Sequence, residues 1–187
     1  MKKLNLMIWL SVMVFIAGAC KDDDDDNQDD VTNAVTDKDR NFILNAADGG
    51  MFEVMAGQMA VTKGDSMYNM VMTDSMSVRS FGQMMVTDHT TANNELKALA
   101  DERQVTIPTT LTTAKQQKID SLTAASGQAF NQMYIKMMVT SHQETINLFQ
   151  TESTGGDDTE MKTWASGKLP TLQHHLEMAQ MMQDSIQ

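Results

Sequence analysis

Four side chains with metal-ligand chemistry, Glu53, His89, His142 and His175, each fall on the apolar stripe of a separate predicted helix. Three imidazoles and a carboxylate suit a first-row divalent ion such as zinc, iron or copper. Two of the histidines end near-copies of one hexapeptide: M-M-V-T-D-H at Met84 to His89 and, 53 residues later, M-M-V-T-S-H at Met137 to His142. Each copy has an aromatic residue three positions before it, Phe81 and Tyr134. Asp88 and Glu144, close to the repeat histidines, and Tyr134 are the residues expected to support the ligands; Glu177 is a further carboxylate near His175. The competing expectation is structural. A histidine on a helix stripe is often satisfied by a carbonyl or a carboxylate without any ion, and Glu53 could serve as that carboxylate.

Other chemistries find no support. The di-iron carboxylate signature needs Glu-x-x-His pairs, and none occurs in the chain. There is no P-loop, nucleophile elbow or glycine-rich dinucleotide motif. Cys20 is the only cysteine, which excludes a disulfide framework and a multi-cysteine metal site. Methionine is abundant, with nineteen in the chain, and core filling is its ordinary role. Two groups also have the softness for Cu(I) or the capacity to scavenge oxidants: Met67, Met70, Met72 and Met76, and the run His174-His175-x-x-Met178-x-x-Met181-Met182.

The elements that must position these residues are helical. Glycine and aromatics are few, Ala, Met, Gln, Lys and Leu are common, and no stretch alternates with period two. Helix 1 is predicted over Asp37 to Lys63 with Thr36 as N-cap. Its inward stripe is Ile43, Ala46, Gly50, Glu53, Gly57 and Ala60, small enough for a close neighbour. Helix 2 is predicted over Asp74 to Gln104 and is followed by an extended segment with Pro108. Helix 3 spans Ala114 to Glu152, with capping-box spacing at Thr113 and Gln116. Asp157 and Glu160 have the same spacing at the start of helix 4, where Pro170 is expected to kink or restart the helix. The sum is an all-α four-helix bundle spanning 37–187, of up-and-down or crossover topology. In an up-and-down arrangement the four ligand-type residues lie at depths agreeing to about 10 Å at 1.5 Å rise per residue.

The N-terminus addresses the chain. Lys2 and Lys3, the apolar run Leu4 to Ile16 and the small residues Ala17 to Ala19 before Cys20 form a lipoprotein-type signal peptide over 1–19. Cys20 is then the expected lipidated first residue of the mature chain, and more than one acyl chain would anchor it stably. Residues 20–36, with the aspartate run Asp22 to Asp26, read as a disordered acidic tether. Losing Lys2 and Lys3 takes the net charge from −11 to −13. So acidic a chain repels phosphate backbones, so nucleic acid is not an expected partner; the membrane, through the lipid, is.

Taken in order, M-V-T-D-H at Met85 to His89, E-L-K-A-L-A at Glu95 to Ala100, I-P at Ile107-Pro108, G-Q-A-F-N-x-x-Y at Gly127 to Tyr134, H-x-x-x-I at His142 to Ile146 and L-P-T-L-x-x-H-L at Leu169 to Leu176 resemble a bacterial ferritin-like family of unknown function. Its members are labelled outer-membrane or periplasmic proteins. The resemblance covers about Arg40 to Gln183. It implies a ferritin-like bundle and recurrent positions at Glu53, His89, His142 and His175, and it supplies no activity. Asn131 departs from the family's aspartate, and the segment between helices 1 and 2 is longer than usual. The His-His-x-x-Met-Ala run also resembles a related group of small periplasmic proteins linked to copper. The expected protein is a lipid-anchored, non-catalytic domain of the cell envelope, outer-membrane attached, binding a metal ion through interior His and Glu. The alternatives are a metal-dependent redox enzyme or copper-handling protein, and a metal-free interaction module.

Overall fold

The computed structural model describes residues 35–66 and 76–186. The expected signal peptide, Cys20, the tether up to residue 34, Met67, Met70 and Met72, and the expected start of helix 2 at Asp74 lie outside the described residues. Five helices follow one another: α1 (Asp37–Lys63), α2 (Val78–Glu102), α3 (Thr113–Ala124), α4 (Gly127–Gly155) and α5 (Thr159–Ser185). No strand occurs among the described residues, and no helix there is long and apolar enough to cross a membrane.

Helix α1 matches its sequence signals: Thr36 accepts from the Asp39 N–H at its start and Gly64 ends it. Helix α2 is capped by Ser77, whose hydroxyl accepts from the Ser80 N–H. The predicted helix 3 is two helices. Ala125 and Ser126 are extended and Gly127 has φ +56°, a conformation in which a Cβ would be strained. Its predicted cap also differs. The N-cap is Thr112, and its hydroxyl donates to Asp48 rather than closing a capping box. At α5 the cap is Asp158, one residue later than expected, and it accepts from the Met161 N–H at 2.9 Å. Pro170 does not restart α5, which runs unbroken to Ser185. The one hydrogen bond that proline removes is that of its own missing N–H, and the turn before it holds the exposed small residues Ser166 and Gly167.

Two apolar clusters reveal the topology. One joins Phe52, Ala56 and Ala60 of α1 with Phe81 and Met85 of α2, Phe130 and Met138 of α4, and Met178 and Met182 of α5. The other joins the opposite halves of the same helices, through Ile43, Leu96, Phe149 and Leu172. Hence α1 is antiparallel to α2 and α4 to α5, while α2 and α4 run parallel. The bundle is therefore of the crossover type, and the up-and-down arrangement used for the depth count does not apply. The crossover returns along α1: Asp48 accepts from the Thr112 N–H and hydroxyl, both at 2.9 Å, and Lys63 donates to the Leu122 and Thr123 carbonyls at the other end of α3.

Helix α1 lies close on α2 because both carry glycine at the crossing. A Cβ at Gly82 would stand 2.6 Å from the Ala60 Cβ and 2.8 Å from the Gly57 carbonyl oxygen.

The α4–α5 turn is organised by buried carboxyls. Asp39 accepts from the Asp157 N–H at 2.9 Å, the Asp158 N–H at 3.2 Å and the Thr36 hydroxyl. Glu152 lies beside it, 2 % exposed. Burial, the hydrogen bond to Asp39 and the charges of Asp39 and Asp158 push the Glu152 carboxyl up to about 7, with Lys38 opposing. A folded-state pKa above that of the unfolded chain stabilises below the unfolded value and loses that stabilisation as pH rises through the folded one. Unfolding free energy is thus expected to fall by about 1–2 kcal/mol between pH 4.5 and 7.5 on this account, after discounting for partial solvent screening. Urea melts of the wild type and Glu152→Gln across that window check it. Equal pH slopes in the two proteins would rule out the protonated carboxyl.

Candidate metal centre

The two apolar clusters leave a polar layer between them, filled by Glu53 of α1, His89 of α2, His142 of α4 and His175 of α5. All four are buried, with exposures of 1, 5, 0 and 1 %. The three imidazole centroids form a nearly equilateral triangle, 5.4 Å on every side. One ring nitrogen from each lies within 4.8 Å of those of the other two. The repeated hexapeptides occupy equal heights because α2 and α4 are parallel. Their leading aromatics also meet, Phe81 against Tyr134 edge-on at 6.2 Å.

Two of the rings are held by a hydrogen bond at one nitrogen, and all three leave the other nitrogen bare. His142 Nδ1 donates to the Met138 carbonyl at 2.9 Å. His175 Nε2 donates to Asp88 Oδ2 at 2.9 Å. His89 Nδ1 approaches Glu53 Oε2 at 3.0 Å, a close contact too poorly aligned to count as a hydrogen bond. The remaining nitrogens, His89 Nε2, His142 Nε2 and His175 Nδ1, are buried and have no partner. Glu53 Oε1 accepts from Ser141 Oγ at 2.9 Å and lies 3.6 Å from His142 Nδ1.

Electrostatics keep lone pairs available. Burial lowers the His89 pKa, and the neighbouring His142 adds to this against the pull of Glu53 and Asp88. Burial and the two other histidines bring His175 down to about 4, with Asp88 opposing. Burial works against a charge on Glu53. His89, His142, the Ser141 hydroxyl and Lys115 outweigh it, and the carboxyl sits below its ordinary range. Burial thus favours the neutral ring at His89 and His175, and the surroundings of Glu53 favour its carboxylate, the protonation states a metal requires.

The supporting residues differ in part from those expected. Asp88 does orient a ring, that of His175 across the bundle rather than its neighbour His89. Glu144 and Glu177 are exposed and do not reach the layer. Tyr134 is fully buried, its hydroxyl bonded to nothing and its pKa raised by burial and by the Glu53 charge. Asn131 serves elsewhere, accepting from the Asp65 N–H at the end of α1. Ser141, not among the residues expected to support the ligands, donates to Glu53 and occupies in the second hexapeptide the place Asp88 holds in the first. The His174 to Met182 run does not converge: His174 and Met181 are exposed, whereas His175, Met178 and Met182 point into the core. Met85, Met138, Met161, Met178 and Met182 are buried in the core, and Met59, Met76, Met84, Met133 and Met137 pack partly buried against it.

A crossover four-helix bundle with three histidines and one glutamate at its mid-plane is the class of protein that fold and site define. Within that class the chain belongs to the family described as Domain of unknown function (DUF4142), whose model matches residues 26–182. No curated protein matches it. Among solved structures it is similar to a crystal structure of a DUF305 fragment from Deinococcus radiodurans. The TM-score is 0.67 at 8 % identity, over 81 % of this chain and 98 % of that one. At that identity the likeness concerns the fold alone.

Proposed function

We propose that this protein binds one first-row divalent ion at the mid-plane of its bundle, through His89, His142 and His175, with Glu53 as nearby carboxylate. One observation carries the reading: His142 and His175 each have one nitrogen hydrogen-bonded to a carbonyl or carboxylate, His89 Nδ1 stands 3.0 Å from Glu53, and the other nitrogen of all three buried rings is unpartnered. Ligating histidines have that arrangement, because the outer contact fixes tautomer and orientation. A buried polar atom left bare is otherwise costly, about 1–3 kcal/mol each. Bond lengths near 2.05 Å in a tetrahedral site put ligand nitrogens about 3.3 Å apart. Holding an ion would therefore draw the three rings inward by side-chain rotation from their present spacing of up to 4.8 Å.

The lipoprotein-type sequence at Ala17 to Cys20 supports a place in the cell envelope, with the domain tethered to a membrane by lipid on Cys20. Elemental analysis of protein made without a His-tag is expected to find about one ion per chain after metal loading and desalting. The His89→Ala/His142→Ala double variant is expected to retain almost none. Equal metal content in the two proteins ends the proposal. In the same cells Cys20→Ser should move the protein from the membrane fraction to the soluble one, and an unchanged distribution removes the anchor.

A further inference from the structure

We infer that the ion keeps an open coordination position, and that a small monoanion reaches it through a cavity between α2 and α5. This rests on the metal-binding reading above. A cavity of about 250 Å³ has Glu53, His89 and His175 among its lining residues, and His142 is not one of them. Its lining passes from these buried side chains, through half-buried Trp164 and Lys168, to exposed Thr91 and Thr171. The cavity thus connects one side of the histidine triangle to solvent.

The reason for the opening lies in how α2 meets α5. Close backbone packing joins α1 to α2 and α4 to α5, whereas α2 and α5 are bridged by long polar side chains. Arg103 binds Asp158 at 2.6 and 2.9 Å, Trp164 Nε1 donates to Glu95 at 2.7 Å, and His175 donates to Asp88. Between those bridges the seam stays unfilled.

Charge and size define the ligand. Lys168 is the one cationic side chain among the described lining, and it rests against Glu95 and the face of Trp164 at 5.8 Å. The two lining carboxylates, Glu53 and Asp88, already face imidazoles. Adding a divalent ion offsets both, and Glu95 offsets Lys168, so no net negative charge repels an anion on its way to the ion. The cavity has room for several water-sized molecules, enough for an anion of a few heavy atoms, such as azide, a small carboxylate or hydroperoxide. Three protein ligands with an open fourth position is the arrangement of reactive rather than structural metal sites.

Azide titration of the Cu(II)-loaded protein tests this. The expected result is a saturable change in the visible spectrum, weakened about three- to tenfold in Lys168→Gln and abolished in Thr171→Trp, which fills the mouth. Copper content should be unchanged in both variants, since neither residue is a ligand. One bound copper per chain with no spectral response to azide overturns the open position and leaves metal binding standing. A normal response in both variants overturns the route through the α2–α5 seam. Failure of the wild type to retain copper overturns the metal reading and this inference together.

Discussion

Chelator-stripped protein is expected to gain about 5–10 °C in Tm when a divalent first-row ion is supplied at about one hundred times its Kd. Binding that favours the folded state at this ratio contributes about 2.7 kcal/mol, and in a domain of this size each kcal/mol moves Tm by about 2–4 °C. The effect is large because the site is built from four helices that are brought together only by folding, so the unfolded chain offers no comparable set of ligands. His142→Ala should abolish the shift. Its ring is the most buried of the three, and its tautomer is fixed by the Met138 carbonyl. Glu53→Gln should leave a reduced shift, with affinity lower by about 10–100-fold, as for other residues that orient or polarise a ligand. Differential scanning calorimetry with and without ion would measure all three proteins. Identical shifts in wild type and His142→Ala would mean that the ion binds elsewhere.

The second large effect concerns the α1–α2 crossing. Gly82→Leu is expected to destabilise the domain by about 3 kcal/mol or more, because overpacking at a site with no room forces the backbones apart. The obstacle is partly backbone: a Cβ at that position meets the Gly57 carbonyl oxygen as well as the Ala60 Cβ. Backbone cannot rotate away as a side chain does. Gly167 supplies the control. It lies inside α5 with open space around its Cβ position, so Gly167→Ala should stabilise by about 0.5–1 kcal/mol through helix propensity. Opposite signs at two helical glycines would separate packing from propensity; destabilisation by both, or by neither, would refute the crossing's role. Because Glu53 lies one turn from Gly57 and His89 two turns from Gly82, separating these helices should also lengthen the 3.0 Å Glu53–His89 contact and weaken ion binding.

The hexapeptide repeat shows how site information is distributed between sequence and fold. Its two histidines were legible as inward-facing because the apolar period of 3.6 surrounds them, and the same period placed Glu53 and His175 on their stripes. Which partner each would have was not legible. Asp88 precedes His89 in the chain yet binds His175, because adjacent helical residues point some 100° apart and the outward one meets the next helix. Ser141, its counterpart in the second copy, turns to Glu53 for the same reason. Glu144, two positions past His142, is carried round to solvent.

By itself the sequence determined the all-α class, the extent of α1 and the inward-facing positions of Glu53, His89, His142 and His175, since these depend on local periodicity and capping. Only the tertiary structure decided that the predicted third helix divides at Ser126-Gly127, that α2 and α4 run parallel, and that Glu152 is pressed against Asp39. It alone also decided that one nitrogen of each imidazole is left bare and that the α2–α5 seam stays open. Those features depend on which surfaces meet across the bundle, and residues far apart in the chain carry no local mark of the neighbour that folding will give them.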